Sequence, residues 1–120
     1  MNVVAVLVKT VNGQQVPVLA RDDALTLYYL TSDTATTVAC SGQCATFWPP
    51  LLLPSGTPAS GMTIPGKLGT LTDPNGTQVT YNGHPLYAFA RDKAAADVKG
   101  EGIKAFGGVW HAATLDVASQ

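Results

Sequence analysis

The chain has 120 residues, enough for one ordinary domain with a modest core and not for two. Charged residues make up 12%, about half the usual share, and 46% are hydrophobic, which excludes intrinsic disorder. Seven Lys plus Arg against eight Asp plus Glu leave a net charge of −1 with no basic stripe, so the surface a nucleic-acid binder needs is absent.

Met1-Asn2 leads directly into an apolar, β-branched run over residues 3–8, about six residues against the ~20 needed to cross a bilayer. It has no basic leader or small-residue cleavage site and reads as a first strand, so either the protein is cytosolic or a leader has been removed ahead of Met1. Asn12-Gly13 supplies two residues tolerant of positive φ, the requirement of a type I′ hairpin turn, and residues 16–20 follow as the return strand. A Leu-Tyr strand runs from Leu27 to Asp33. Residues 43–48 read as a short helix stopped by Pro49-Pro50. Between 49 and 66 lie five of the eight prolines together with Leu51, Leu52, Leu53, Met62 and Ile64. A free linker has no use for those apolar residues, so the segment is an ordered connection laid across the core.

Residues 68–72 and 78–81 flank Asn75-Gly76, a second expected type I′ turn. Asn82-Gly83 then leads to a strand over 85–89, with Pro85 at its start. Asp92 is placed to cap one or two helical turns over 93–98, closed by Gly100 or Gly102. Residues 109–117 supply the last strand.

Self-similarity is the most informative feature of the chain. Asn12-Gly13-Gln14-Gln15-Val16 recurs as Asn75-Gly76-Thr77-Gln78-Val79, and Leu27-Tyr28 through Asp33 recurs as Leu86-Tyr87 through Asp92. Phe47-Trp48 has a counterpart in Phe106 and Trp110. All three matches keep their order at a spacing of about 60 residues, half the chain. The expected architecture is mainly β: one compact domain of two pseudo-repeated antiparallel units (3–50 and 68–117), a sandwich or small barrel, with one or two short helices.

Cys40 and Cys44 are the only cysteines. They flank a flexible Ser-Gly turn and can reach the ~5.5 Å Cα separation of a disulfide. Two free thiols or a metal or redox role are the competing readings, the metal one weakened by the absence of four-ligand zinc spacing. A disulfide implies an oxidising, extracytoplasmic compartment.

Tyr87-Ala88-Phe89-Ala90-Arg91-Asp92 fits a Tyr-x-(Phe/Trp/Tyr)-x-x-Asp signature in full, while Tyr28-Tyr29-Leu30-Thr31-Ser32-Asp33 departs from it at Leu30. With Cys40-Ser41-Gly42-Gln43-Cys44, Trp48-Pro49-Pro50-Leu51, Tyr81-Asn82-Gly83-His84-Pro85-Leu86-Tyr87 and Gly107-Gly108-Val109-Trp110-His111, the pattern resembles the secreted-repeat lipoproteins of bacteria over roughly residues 12–115. The resemblance implies an exported, often lipid-anchored protein. It carries no catalytic residue across, because the signature defines the repeat and not a reaction. This sequence contains no lipobox cysteine.

Asp33 and Asp92 are weighed as calcium ligands and as caps. No Asp-x-Asp-x-Asp loop surrounds either, so they are expected to accept backbone N–H bonds in the following turns. Tyr28, Tyr87, Phe89, Trp48 and Trp110 are expected as structural residues of the repeat, the tyrosine hydroxyls each with a partner. His84 and His111 have no counterpart in the first copy; with Met62 they form the candidate copper or haem ligand set. No hydrolase elbow, metalloprotease helix, P-loop or dinucleotide fingerprint occurs. The expected function is a non-enzymatic extracytoplasmic binding module, without cofactor, that meets an envelope protein, glycan or polymer. The alternative is a small haem or copper carrier using His84 and His111.

Overall fold

The computed structural model of the chain describes residues 2–53 and 55–119; Met1, Pro54 and Gln120 lie outside them. The described residues are dominated by hairpins, as the turn chemistry requires. β1 (Asn2–Val11) and β2 (Gln14–Ala20) pair antiparallel with Val11 opposite Gln14. Asn12 (φ 52°) and Gly13 (φ 80°) both sit in the left-handed region that a type I′ turn demands. β6 (Gly76–Tyr81) turns through Asn82 (φ 51°) and Gly83 (φ 82°) into β7 (His84–Pro85) in the same way.

The turn between β5 (Leu68–Asp73) and β6 differs from the expected Asn75-Gly76 turn. Asp73 lies opposite Gly76, so Pro74 and Asn75 form the loop. Pro74 presets a φ near −65°, wrong for a type I′ turn. The Asp73 carboxylate accepts the Asn75 N–H at 2.8 Å, and of the two expected turn residues only Gly76 takes a positive φ, 125°.

Three small sheets result, ordered β2-β1-β4, β3-β9-β8 and β5-β6-β7. β4 (Ala59–Ser60) lies parallel to the start of β1, β3 (Tyr28–Leu30) pairs antiparallel with β9 (Gly108–Ala112), and β8 (Lys104–Ala105) completes a hairpin with β9. They form one compact β domain without a closed barrel, and the last strand ends at Ala112 rather than Val117.

Two closed rings of backbone hydrogen bonds stitch the sheets together. Leu27 donates to Leu19, Leu19 to Ala113 and Ala113 to Leu27, at 2.9–3.0 Å. Leu86 donates to Val79, Val79 to Leu51 and Leu51 to Leu86, at 2.8–3.0 Å. The second ring draws part of the Pro-rich connection into the fold, as do the Leu53 N–H to the Thr77 carbonyl (2.9 Å) and the Gly61 N–H to the Val4 carbonyl (3.2 Å).

Strand periodicity then divides the core. Val18, Tyr28, Tyr87 and Ala112 enter one buried cluster, and their neighbours Leu19, Leu27, Leu86 and Ala113 enter the other. β1 breaks the expected sorting near its end, where Val8 is 67% exposed and Lys9 only 5%. The Lys9 ammonium is accommodated because it donates to the Ala24 carbonyl and the Thr26 hydroxyl, each at 2.7 Å. Burial lowers its pKa, while Asp92, Asp23 and Asp97 act in the opposite sense.

Of the expected helical turns, residues 44–47 form α1 (Cys44–Phe47), whereas 93–98 do not. The Asp97 carboxylate takes the N–H groups of Lys93 (2.8 Å) and Ala94 (3.1 Å), and Asp92 takes that of Lys99 (3.0 Å). These side-chain acceptors satisfy the backbone locally and leave a run of turns. Cys40 and Cys44 are joined, with Cα atoms 5.1 Å apart. Replacing both by serine should cost about 2 kcal/mol in denaturant unfolding, as loop closure over so short a span allows; an unchanged midpoint would show that the bond constrains nothing.

Candidate functional site

Tyr28 and Tyr87 meet at the centre of the fold. Each donates its backbone N–H to the other's carbonyl, at 2.7 and 2.9 Å. Their side chains then cross to the opposite half of the chain. The Tyr28 hydroxyl donates to Asp92 (2.6 Å) and the Tyr87 hydroxyl to Asp33 (2.7 Å). The second oxygen of Asp33 accepts the Ala39 N–H (2.7 Å), and that of Asp92 accepts the Lys99 N–H (3.0 Å). Both tyrosines are fully buried and both carboxylates nearly so. Burial pushes the carboxyl pKa values up, against the pull of the donated hydrogen bonds. It also raises both phenols far above their ordinary range, and the adjacent carboxylates raise them further.

The tryptophans flank this knot. Trp48 and Trp110 stack in parallel, 3.8 Å apart and 2° from coplanar. Tyr28 meets Trp48 edge-on at 5.5 Å, and Tyr87 meets Trp110 edge-on at 5.0 Å. Phe89 stacks on Trp48 at 4.1 Å, so Trp48 is sandwiched between two rings. Gly100 is fixed by the same knot: its N–H donates to the Tyr28 hydroxyl (3.2 Å), and a Cβ there would stand 2.8 Å from Trp48. Tyr28, Tyr87 and Trp110 are fully buried and offer no face to a ligand.

His84 and His111 both pack on Tyr29, with ring centroids 4.7 and 5.8 Å from it. His111 Nδ1 lies 2.6 Å from Glu101, whose other oxygen accepts the Ala112 N–H at 2.9 Å. His84 Nε2 lies 2.6 Å from the Ala118 carbonyl. Met62 is 59% exposed and follows β4, beside Val4, whereas Val11 lines the surface around His111. Seven strand residues, about 23 Å, separate those two ends of β1. The structure therefore brings the imidazoles to one phenol ring and leaves Met62 at the other end of the hairpin. Both cysteines are consumed by the disulfide, and among the described residues no three His, Cys, Asp or Glu side chains converge as a metal site.

An apolar groove of about 390 Å³ is lined by Phe47, Trp48, Phe89, Arg91, Ile103 and Phe106. Phe47 (48% exposed) projects from α1, which the disulfide anchors at its start. The Ala90 N–H holds the Phe47 carbonyl at 2.9 Å. Phe106 (42% exposed) occupies the tip of the β8–β9 hairpin at φ 56°. That conformation costs a bulky L-residue roughly 1–2 kcal/mol, and glycine adopts it freely.

Sequence reasoning singled out the tyrosines, aspartates, tryptophans and histidines but missed Glu101, Arg91 and the groove. Glu101 carried a signal, being the chain's single glutamate. The Phe106 turn had only the following Gly107-Gly108 to announce it.

Residues 69–114, which contain Tyr87, Phe89, Asp92 and Trp110, match a lipoprotein family model described as a secreted repeat of unknown function. No curated protein and no solved structure matches the chain. Among the described residues no helix is long and apolar enough to cross a membrane.

Two predictions test the knot. Tyr28→Phe should cost about 2 kcal/mol, because it leaves a buried carboxylate short of a donor. Combined with Asp92→Asn it should cost clearly less than the two changes added; additivity within about 0.5 kcal/mol would mean that hydroxyl and carboxylate do not communicate. The raised phenol pKa values also fix a pH dependence. The folded chain keeps protons on Tyr28 and Tyr87 that the unfolded chain releases near pH ~10. Their contribution is complete below that pH and is lost as pH rises above it, so alkaline unfolding should coincide with a delayed phenolate absorbance step. More than two of the four tyrosines titrating near pH ~10 in the folded protein would contradict the buried geometry.

Proposed function

We propose that the chain is an exported, non-catalytic binding module, built as a doubled β unit, that takes its partner in the groove between Phe47 and Phe106. The match to a secreted repeat and the disulfide support an extracytoplasmic setting. The crossed Tyr28–Asp92 and Tyr87–Asp33 bonds, the paired tryptophans and the two hydrogen-bond rings support the doubling, since each links like residues of the two halves.

The single observation that carries the binding reading is the strained, exposed Phe106 facing the equally exposed Phe47 across an apolar groove. The copper or haem alternative rests on His84 and His111 alone. Metal analysis and an absorption spectrum of protein purified without chelators are its check.

Phe106→Gly separates folding from binding. It should leave the fold intact and raise stability by about 1 kcal/mol, the relief of the left-handed strain. Together with Phe47→Ser it should abolish retention of envelope components on the immobilised protein. Retention equal to that of the unaltered chain would remove the groove from the binding function.

A further inference from the structure

We infer that the Phe47–Phe106 groove takes a small anion carrying a flat apolar ring system, its ring between the exposed phenyls and its charge against Arg91. This inference rests on the groove being the binding site and adds the chemistry of its occupant. A volume of about 390 Å³ falls within the ~300–1,000 Å³ of small-molecule sites. Four of the six lining side chains are aromatic, Ile103 is aliphatic, and Arg91 supplies the charge; no acid lines the groove.

The aromatic walls favour a flat guest. Ring–ring contacts add roughly 0.5–1.5 kcal/mol each beyond simple burial when rings meet offset or edge-to-face. Trp48 has both faces covered, by Phe89 and Trp110, so it turns an edge toward the groove. Ring edges carry the positive end of the aromatic quadrupole. The floor and the guanidinium therefore have the same sign, and both attract the electron-rich face or anionic group of a guest.

The charge of the adjoining sequence points the same way. Arg91, Lys93, Lys99 and Lys104 are four of the chain's seven cations, gathered within fourteen residues. Against them stand Asp92, Asp97 and Glu101, which leave the segment a net charge of +1, and each of these acids is already hydrogen-bonded. Asp92 is held by Tyr28 and the Lys99 N–H, Asp97 by the N–H groups of Lys93 and Ala94, and Glu101 by His111 and the Ala112 N–H. Asp97 also lies 3.8 Å from the Lys99 ammonium, which partly offsets that one cation. Arg91 is exposed and its guanidinium presents a fork of donors suited to a carboxylate, sulfonate or phosphate.

Two fluorescent probes of nearly equal ring size test the inference: anilinonaphthalene sulfonate, which is anionic, and phenylnaphthylamine, which is neutral. Each is titrated into the folded protein, with probe emission and tryptophan quenching followed together. The expected result is saturable binding of one sulfonate per chain, about tenfold tighter than the neutral probe, as a charge-assisted contact of about 1.4 kcal/mol gives. Arg91→Gln should erase that preference while leaving the neutral probe's affinity unchanged, and Phe106→Gly should weaken both probes; thermal melts confirm that each variant is folded. Equal affinity for the two probes would overturn the anion assignment and leave the groove reading standing. No saturable binding of either probe would overturn both.

Discussion

The fold depends on two phenols that reach across the molecule to two buried carboxylates. Asp33 and Asp92 would be costly where they lie, since burying a carboxylate without partners costs several kcal/mol. The tyrosine hydroxyl and one backbone N–H make each tolerable. The arrangement works only because Tyr28 and Tyr87 share a pair of backbone hydrogen bonds, which sets both side chains at once. The stacked tryptophans, the Gly100 contact and the turns after each aspartate are all consequences of that placement.

Around this centre the aromatic residues divide into two populations. Tyr28, Tyr87, Trp48 and Trp110 are sealed and structural, and each has a partner in the opposite half of the chain. Phe47 and Phe106 stand outside that enclosure, 48% and 42% exposed. They reach the same groove by different means, one from a disulfide-closed helical turn and the other from a strained hairpin tip. The proposed binding function lives in this departure from regularity. The regular part supplies only a rigid wall.

How much of this the sequence disclosed follows from how local each cause is. Asn12-Gly13 and Asn82-Gly83 announce their turns because two adjacent residues decide the backbone. Pro74 defeated the same reading at Asn75-Gly76, since a neighbour outside the dipeptide set the turn type. Asp92 reads as a helix cap, yet Asp97 captured the N–H groups that a helix over 93–98 would have ordered. The repeat motif located the tyrosines and aspartates. It gave no sign that each tyrosine bonds to the aspartate of the other segment, because that depends on two segments meeting about 60 residues apart. The groove was the least legible, since its walls come from α1, the Phe89–Arg91 segment and the β8–β9 hairpin, which only the folded chain brings together.

The exchange of partners between the two halves also governs assembly. A nascent chain that stops before Asp92 holds Tyr28 with no carboxylate to receive its hydroxyl, and Asp33 has no phenol until Tyr87 has been made. Neither half is a self-sufficient seed, and the long loop between the contacts has to close before either is rewarded. The molecule thus matures late and all at once, and a cut through the segment joining its halves would leave two fragments, each with an acid deprived of its phenol donor.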